Sequence, residues 1–197
     1  MSFKLGLTGS IGMGKSTTAK MFADAGCDVW DADAAVHRIY EKHGVAVDPM
    51  QAAFPEAILD GSVSRDALKR IIGNDPSALK QIEAIVHPLL GEDRARFISE
   101  SSKVILVFDI PLLFETGGDK NMDATVCVST DAVTQRARVL ERGTMSEQQF
   151  ELIKSKQMPI EEKRASADYV IETDTLEHAQ AQVEAVIKDI KRKLANA

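Results

Sequence analysis

A glycine-rich segment near the start of the chain has residue types and spacing suited to binding phosphate. Residues 9–16 are GSIGMGKS and match the pattern G-x-x-x-x-G-K-[S/T]. The glycines let the backbone curl so that successive N–H groups point at phosphate oxygens, Lys15 reaches the outer phosphates, and the Ser16 hydroxyl can hold magnesium. The predicted nucleotide-binding residues are Gly9, Ser10, Ile11, Gly12, Met13, Gly14, Lys15, Ser16 and Thr17.

The segments on either side of this loop have the character that phosphate binding requires. Residues 3–8 form a short apolar run typical of a strand, and residues 17–25 can continue as a helix. The N-terminus of such a helix carries a partial positive charge that favours an anion. A glycine-rich turn without a ligand is the alternative, but the strand–loop–helix context supports the motif. We predict that the chain binds a nucleoside triphosphate.

A candidate acceptor-side group follows the second predicted strand. An enzyme that transfers phosphate from a nucleotide to a hydroxyl group needs a side chain that orients or deprotonates this acceptor hydroxyl. Asp33 is the candidate for this role. The alternative is that Asp33 only caps the helix that follows, because Asp is a favoured N-cap residue. Asp31 lies on the same side of an extended chain, so spacing leaves open which of the two acts. Asp109, at the end of the third predicted strand, can hold magnesium together with Ser16, or can cap the next turn.

Arginines in residues 131–164 are candidates for stabilising charge on the transferred phosphoryl group. Arg138 and Arg142 are four residues apart and share a helix face, and Arg136 precedes them. A solvated helix face is the alternative for each arginine. The chain lacks the N-K-x-D motif of guanine-specific proteins, and a single acid ends the third strand, unlike the acidic pair of motors. A small-molecule kinase is therefore favoured over a GTPase or a motor.

The elements that position these residues indicate an α/β fold. Strand-like segments rich in Val and Ile alternate with helical patterns, which predicts a parallel sheet with helices on both faces. The chemically interesting residues follow the carboxyl ends of the strands, where ligands bind in such folds. The five predicted strands are residues 3–8, 28–30, 104–108, 124–128 and 169–171.

Two long connections predict additions to this sheet. About 70 residues separate the second and third strands, which is too long for a simple crossover. Its helical patterns, broken at Gly61-Ser62, 73–76 and His87-Pro88, predict an all-helical insertion at 34–102 that binds the acceptor, with packing alone as the alternative. Residues 131–158 contain two helical patterns separated at Gly143, and the segment 131–164 is expected to form a lid. The nucleotide-binding core then comprises residues 1–33, 103–130 and 165–197.

The composition restricts the kinds of partner and the cellular compartment that we expect for this protein. A net charge of −6 makes long nucleic acid a poor partner. The sequence has no apolar run long enough to span a membrane and no secretory signal at its start. Cys27 and Cys127 lie in strand-like contexts without the spacing of metal ligands, which predicts small buried thiols. We expect a cytoplasmic protein that acts on a small molecule. A monomer is the expected oligomeric state, with an oligomer as the alternative.

Several segments, in order along the chain, resemble the dephospho-CoA kinase family. They are LTGSIGMGKST at 7–17, DAD at 31–33 with Arg38, His87-Pro88, PLLFE at 111–115 and KRASADYVIET at 163–173. The resemblance implies phosphorylation of the ribose 3′-hydroxyl of dephospho-CoA by ATP and Mg²⁺, giving CoA and ADP in the last step of CoA synthesis. It favours Asp33 over Asp31, and it implies catalytic roles for Lys15, Asp33 and Arg142 and ATP contacts for Arg136 and Arg142. The implied acceptor-binding residues are Asp33, Arg38, His87, Pro111, Leu112 and Leu113.

The chain departs from the family pattern at two places. Ile153 stands where relatives often carry an arginine, and Lys154 or Lys156 is the candidate replacement for that charge. The strand end VIET at 170–173 replaces the usual VIDN, which leaves a backbone contact to adenine at Thr173 as the expectation. Two other functions stay open: a kinase of another small acceptor, such as a nucleoside or a sugar acid, and a nucleotide-dependent switch with little turnover.

Overall fold

The structure is a computed structural model that describes residues 2–196. None of the helices in these residues is long and apolar enough to cross a membrane. Two short 3₁₀ helices, Pro55–Ala57 and Gly118–Asn121, accompany the main elements. The strands and α-helices in chain order are β1 (Phe3–Gly9), α1 (Lys15–Asp24), β2 (Asp28–Asp31), α2 (Ala32–Tyr40), α3 (Val47–Ala53), β3 (Ile58–Leu59), β4 (Ser62–Val63), α4 (Arg65–Asn74), α5 (Ala78–Glu100), β5 (Ile105–Asp109), β6 (Ala124–Ser129), α6 (Ala132–Glu141), α7 (Glu147–Ser155), α8 (Ile160–Ser166), β7 (Tyr169–Glu172) and α9 (Leu176–Ala195).

The chain divides into two compact units. The first, which we call the sheet unit, contains the described residues up to Trp30 and from Ser101 onward. The second, the helical unit, contains Asp31–Glu100. Each unit has its own cluster of buried apolar side chains, so each has a hydrophobic core.

A five-stranded sheet with the order β2-β5-β1-β6-β7 forms the centre of the sheet unit. Strand β1 pairs in parallel with both β5 and β6, and β6 pairs in parallel with β7. Every residue of β5 and β6 is buried, as expected for strands covered on both faces. The predicted α/β fold class is therefore confirmed. The carboxyl ends of these strands meet at one edge, where β1 leads into residues 10–14.

Helices α1 and α9 contact each other and supply much of the sheet unit's core. Phe22 of α1 and Val183 and Ile190 of α9 are completely buried beside Leu5 and Leu7 of β1. Burying a side chain of this size contributes roughly 1.5–3 kcal/mol. The core therefore fixes the position of α1 against β1, which in turn sets the geometry of the loop between them.

Between β6 and β7 the described chain forms α6, α7 and α8, whereas the sequence predicts two helical patterns there. The third helix, α8, has only seven residues, with Pro159 at its N-cap. So short a helix shows less than two turns of periodicity, which is why its pattern cannot be recognised in the sequence.

The helical unit also contains a two-stranded antiparallel ladder, in which β3 pairs with β4. The expectation of an all-helical insertion is therefore incomplete. Asp60 and Gly61 form the turn between these strands and both have positive φ angles, 50° and 80°. Asp-Gly is a favoured dipeptide for such two-residue hairpin turns, so the sequence does carry a local signal for this ladder.

Helix α5 continues through Pro88, so the predicted break at His87-Pro88 is wrong. Proline removes one backbone hydrogen bond and crowds the preceding turn. Tertiary packing outweighs this local preference, because Ala78, Ile82 and Val86 are buried before the proline and Leu89 packs against the same core after it.

Replacing this proline should stabilise the protein. We expect Pro88→Ala to raise the free energy of unfolding by about 1–3 kcal/mol, because alanine restores the missing N–H donor and removes the ring clash. Urea unfolding measures the change, with Glu83→Ala on an exposed position of the same helix as the control. An unchanged or lower unfolding free energy would show that α5 has adapted to the proline without a penalty.

Candidate active site

Residues 10–14 connect β1 to α1 and form the loop within the predicted phosphate-binding residues 9–17. Two of its glycines have left-handed backbone conformations, with φ of 77° at Gly12 and 92° at Gly14. A Cβ atom on Gly12 would lie 2.5 Å from Cγ2 of Val139, and one on Gly14 would lie 3.1 Å from Oγ1 of Thr173. Both positions therefore require glycine for backbone conformation and for space.

The N-terminus of α1 has no side-chain cap, as is also true of the short helices α3 and α8. Its N-cap is Gly14, which has no side chain to accept a hydrogen bond from the first-turn N–H groups. Those groups are therefore available to an anion, and the helix dipole favours negative charge there. Five other helices start with a side-chain cap instead, from Asp31, Ser64, Asp131, Ser146 and Thr175.

Side chains from distant elements hold the loop in place. The amide of Gln157 accepts a hydrogen bond from the Ile11 N–H at 3.0 Å, and the Gln135 amide donates to the Ile11 carbonyl at 2.7 Å. The Thr173 hydroxyl donates to the Met13 carbonyl at 2.7 Å. The sequence motif does not identify these three residues. Gln135 does carry a signal, because it is a polar residue on the same helix face as the buried Val139.

Thr173 links the loop to an arginine. Arg138 donates from Nη1 to Thr173 Oγ1 at 3.0 Å and from Nη2 to the Thr173 carbonyl. The threonine side chain is buried and faces the loop. Arg138 is therefore engaged within the protein, and Thr173 supports the phosphate loop through its hydroxyl.

Removing this hydroxyl should destabilise the protein. We expect Thr173→Val to lower the free energy of unfolding by about 1–3 kcal/mol, since the Met13 carbonyl and Arg138 lose a buried partner while the shape is kept. Thr173→Ser keeps the hydroxyl and should recover most of the loss. Chemical denaturation compares the three proteins, and equal stability of the valine variant and the wild type would contradict this role.

Lys15 and Asp109 form an ion pair at the carboxyl edge of the sheet. Asp109 ends β5 beside Leu7 of β1, and its side chain is only 1% exposed, whereas that of Lys15 is 17% exposed. Ser16 and Thr17 are exposed on the first turn of α1. The structure thus places Lys15, Ser16 and Asp109 around the same end of β1 and β5.

The two arginines predicted to contact ATP have different surroundings. Arg136 pairs with Glu147 at 2.5 Å, and both side chains are about half exposed. Arg142 is the C-cap residue of α6 and borders a cavity of about 420 Å³ that Gly14 and Thr17 also line. Arg136 is not among the residues that line this cavity. The cavity lining is Gly14, Thr17, Thr18, Met21, Arg138, Glu141, Arg142, Thr173, Asp174, Thr175, Leu176 and Ala179.

In the helical unit, Asp31 caps α2, with its carboxylate accepting the Ala34 N–H at 2.9 Å. Asp33 is the second residue of α2, within its first turn, and is exposed. The alternative in which Asp33 caps this helix is therefore wrong, because α2 starts at Ala32, two residues before the start that this alternative requires. Asp33 therefore does not cap α2, and its exposed side chain is accessible to a substrate.

The remaining acceptor candidates occupy both units. Arg38 of α2 pairs with Asp93 of α5 at 2.6 Å, and this hydrogen bond raises the pKa of the guanidinium above its ordinary value. His87 is exposed on α5. In the sheet unit, Leu112 is exposed, whereas the Leu113 side chain is completely buried against Gly6. The Leu113 carbonyl accepts the Gly118 N–H at 2.8 Å.

Cys127 and Glu115 both have shifted pKa values. Burial raises the pKa of the Cys127 thiol to about 11, so this cysteine stays protonated at neutral pH. Burial also acts to raise the pKa of Glu115, but hydrogen bonds from Lys163 and the Met158 N–H outweigh it and hold that pKa below its usual range. The resulting stability is present above about pH 4.3 and is lost as the pH falls through the lowered pKa.

Comparisons with known proteins give a consistent result. A family model described as dephospho-CoA kinase matches residues 3–178. The chain is 64% identical over 191 residues to the dephospho-CoA kinase of Ruegeria pomeroyi, covering 97% of each chain. The solved structure of TT1252 from Thermus thermophilus is 32% identical, with a TM-score of 0.85 over 95% of this chain and 97% of that one.

A dephospho-CoA kinase structure from Campylobacter jejuni shows the same fold. Its TM-score is 0.70 at 24% identity, covering 98% of this chain and 99% of that chain. The resemblance seen in the sequence is confirmed, because the family model and the Ruegeria relative both match nearly the full chain. The chain belongs to the dephospho-CoA kinase family.

Proposed function

We propose that this kinase transfers the γ-phosphoryl group of ATP to the ribose 3′-hydroxyl of dephospho-CoA and releases CoA and ADP. The observation that carries the proposal is the glycine-capped N-terminus of α1 with Lys15 beside it, in a chain of this family. Free N–H groups at a helix N-terminus and a lysine together suit the outer phosphates of a nucleotide.

ATP is proposed to bind with its phosphates on residues 9–17 and its nucleoside in the cavity beside Thr17 and Leu176. Lys15 then exchanges its contact with Asp109 for the phosphate oxygens. Arg142 borders the same cavity and is exposed, so it can reach the transferring group when the surrounding helices move. Arg136 reaches phosphate only if its exposed pair with Glu147 opens, which is a small loss.

Mg²⁺ fits the oxygen donors at the carboxyl edge of the sheet. Magnesium prefers one or two protein oxygens together with water and substrate phosphates. The Ser16 hydroxyl would hold the ion directly, and the Asp109 carboxylate would hold it directly or through water. When bound, the ion neutralises negative charge on the phosphates.

The acceptor side is proposed to use Asp33 to orient and deprotonate the 3′-hydroxyl. Its carboxylate is exposed and does not cap α2, because Asp31 is the N-cap of that helix. Arg38, His87 and the segment 111–113 are proposed to line the acceptor. We assign acceptor binding to residues 34–102 and the role of a lid that excludes water to residues 131–164, with the nucleotide-binding core in the rest of the chain.

The two free cysteines are buried, which is consistent with a reducing compartment, and we propose that the enzyme acts in the cytoplasm as a monomer.

A coupled ADP-release assay tests the reaction with ATP, Mg²⁺ and dephospho-CoA, beside parallel reactions with adenosine, gluconate and no acceptor. Fast release only with dephospho-CoA is expected. Faster release with another acceptor would overturn the proposed substrate, and equal release without any acceptor would indicate an ATPase or switch.

A further inference from the structure

Lys163 is a lysine whose side chain is 0% exposed, on helix α8. A buried charge is unfavourable unless it is paired and hydrogen-bonded. Here the ammonium group pairs with Oε1 of Glu115 at 2.9 Å and donates to the carbonyl of Pro111 at 3.0 Å. These partners are the first and last residues of the segment 111–115.

That segment is made of turns, without a strand or helix to hold it. Its first carbonyl, at Pro111, also accepts a hydrogen bond from the Thr8 hydroxyl at 3.1 Å. Thr8 is completely buried in β1, just before the phosphate loop. One end of the segment is thus tied to both Lys163 and the strand that leads into the loop.

The other end of the segment is tied to the loop by a second route. Glu115 Oε1 also accepts the Met158 N–H at 2.8 Å. The neighbouring residue, Gln157, accepts the Ile11 N–H of the phosphate loop at 3.0 Å. These contacts form a closed ring that runs from the phosphate loop through residues 157–158 and 111–115 and back through Thr8. Lys163 bridges this ring by joining Glu115 to the carbonyl of Pro111.

We propose that Lys163 is a positioning residue that fixes the segment 111–115 relative to the phosphate loop, so that the acceptor hydroxyl and the γ-phosphoryl group meet in a productive geometry. This inference rests on the proposed function, in which residues 111–113 line the acceptor. A purely structural role would be filled better by an apolar side chain, because replacing a buried ion pair with apolar residues is often neutral or stabilising. Lys163 has instead both of its contacts on the one turn segment.

Two variants separate positioning from stability. Lys163→Met removes the ammonium group and leaves Glu115 without this partner, so the variant is expected to be less stable. The double variant Lys163→Met/Glu115→Gln neutralises both groups and keeps an acceptor for the Met158 N–H, so its stability should recover. Lys188→Met, at an exposed position of α9, is the matched control. Urea unfolding measures stability, and steady-state kinetics give kcat and KM for ATP and for dephospho-CoA.

We expect kcat to fall about 100-fold in both Lys163 variants, because a displacement near 1 Å has an effect of this size, while KM for ATP stays near the wild-type value. The recovered stability of the double variant without recovered kcat is the signature of positioning. A double variant with wild-type kcat would overturn the inference and leave the proposed function intact. A wild-type enzyme that does not phosphorylate dephospho-CoA would overturn the proposed function and this inference together.

Discussion

Asp33→Asn should lower the rate of phosphoryl transfer to dephospho-CoA by about 100-fold or more, with nearly unchanged ATP affinity. The amide has almost the same shape as the carboxylate but cannot accept the proton of the acceptor hydroxyl. Asp33 is exposed and does not cap α2, so the substitution should leave the helix and its stability intact. Single-turnover kinetics measure transfer, and calorimetry measures the affinity for an ATP analogue.

Asp31→Asn is the matched control, since it removes the same charge two residues away. Asn is as good an N-cap as Asp, so the hydrogen bond to the Ala34 N–H and the stability of α2 should persist. Transfer by this variant should remain close to wild type. If Asp31→Asn lost transfer and Asp33→Asn kept it, the acceptor role would pass to Asp31.

Lys15→Ala should weaken ATP binding and lower the rate of transfer, the latter by roughly 100-fold or more, because a preorganised donor to the transferring group is lost. The variant also removes the cation paired with the buried Asp109, so we expect some loss of stability. Rates and affinities are therefore measured under conditions where the variant is folded, as judged by circular dichroism.

Lys20→Ala on the same helix provides the comparison for Lys15→Ala. Lys20 pairs with Asp24 at 2.7 Å, but both side chains are exposed, and such a pair contributes little. This variant should bind ATP and transfer phosphoryl like the wild type. A Lys15→Ala protein with wild-type nucleotide affinity would contradict the assignment of residues 9–17 to phosphate binding.

The features that the sequence predicts well are those set by local pattern. The phosphate loop combines a fixed spacing of glycines with a strand before it and a helix after it, and the structure has β1 and α1 at those places. Strands β5 and β6 are continuous apolar runs, which is the pattern of buried parallel strands. Both features depend on residues close together in sequence, so neighbouring side chains are enough to determine them.

The features that the sequence does not predict depend on contacts between distant residues. The Thr173 hydroxyl donates a hydrogen bond to the Met13 carbonyl although 160 positions separate the two residues in sequence. No local pattern relates them. Lys163 belongs to a segment typical of the family, but a lysine is ordinarily expected at the surface, and only its contacts with Pro111 and Glu115 reveal its burial. Packing of α5 against the helical core likewise overrides the local preference of Pro88.

The choice between Asp31 and Asp33 shows the same limit at short range. Both are good N-cap residues, so propensity does not distinguish them. The start of α2 decides which of them caps the helix, since β2 extends to Asp31 and the helix starts directly after it. The backbone position of the strand thus leaves Asp33 accessible to a substrate.

The position of the new phosphoryl group on the product shows whether the enzyme phosphorylates the ribose 3′-hydroxyl of dephospho-CoA. The enzyme is incubated with ATP, Mg²⁺ and dephospho-CoA, the product is isolated, and ³¹P–¹H NMR identifies the ribose proton coupled to the added phosphorus. Coupling to the proton on C3′ is the predicted result. Coupling to the proton on C2′, or release of inorganic phosphate with dephospho-CoA unchanged, would contradict the proposed transfer.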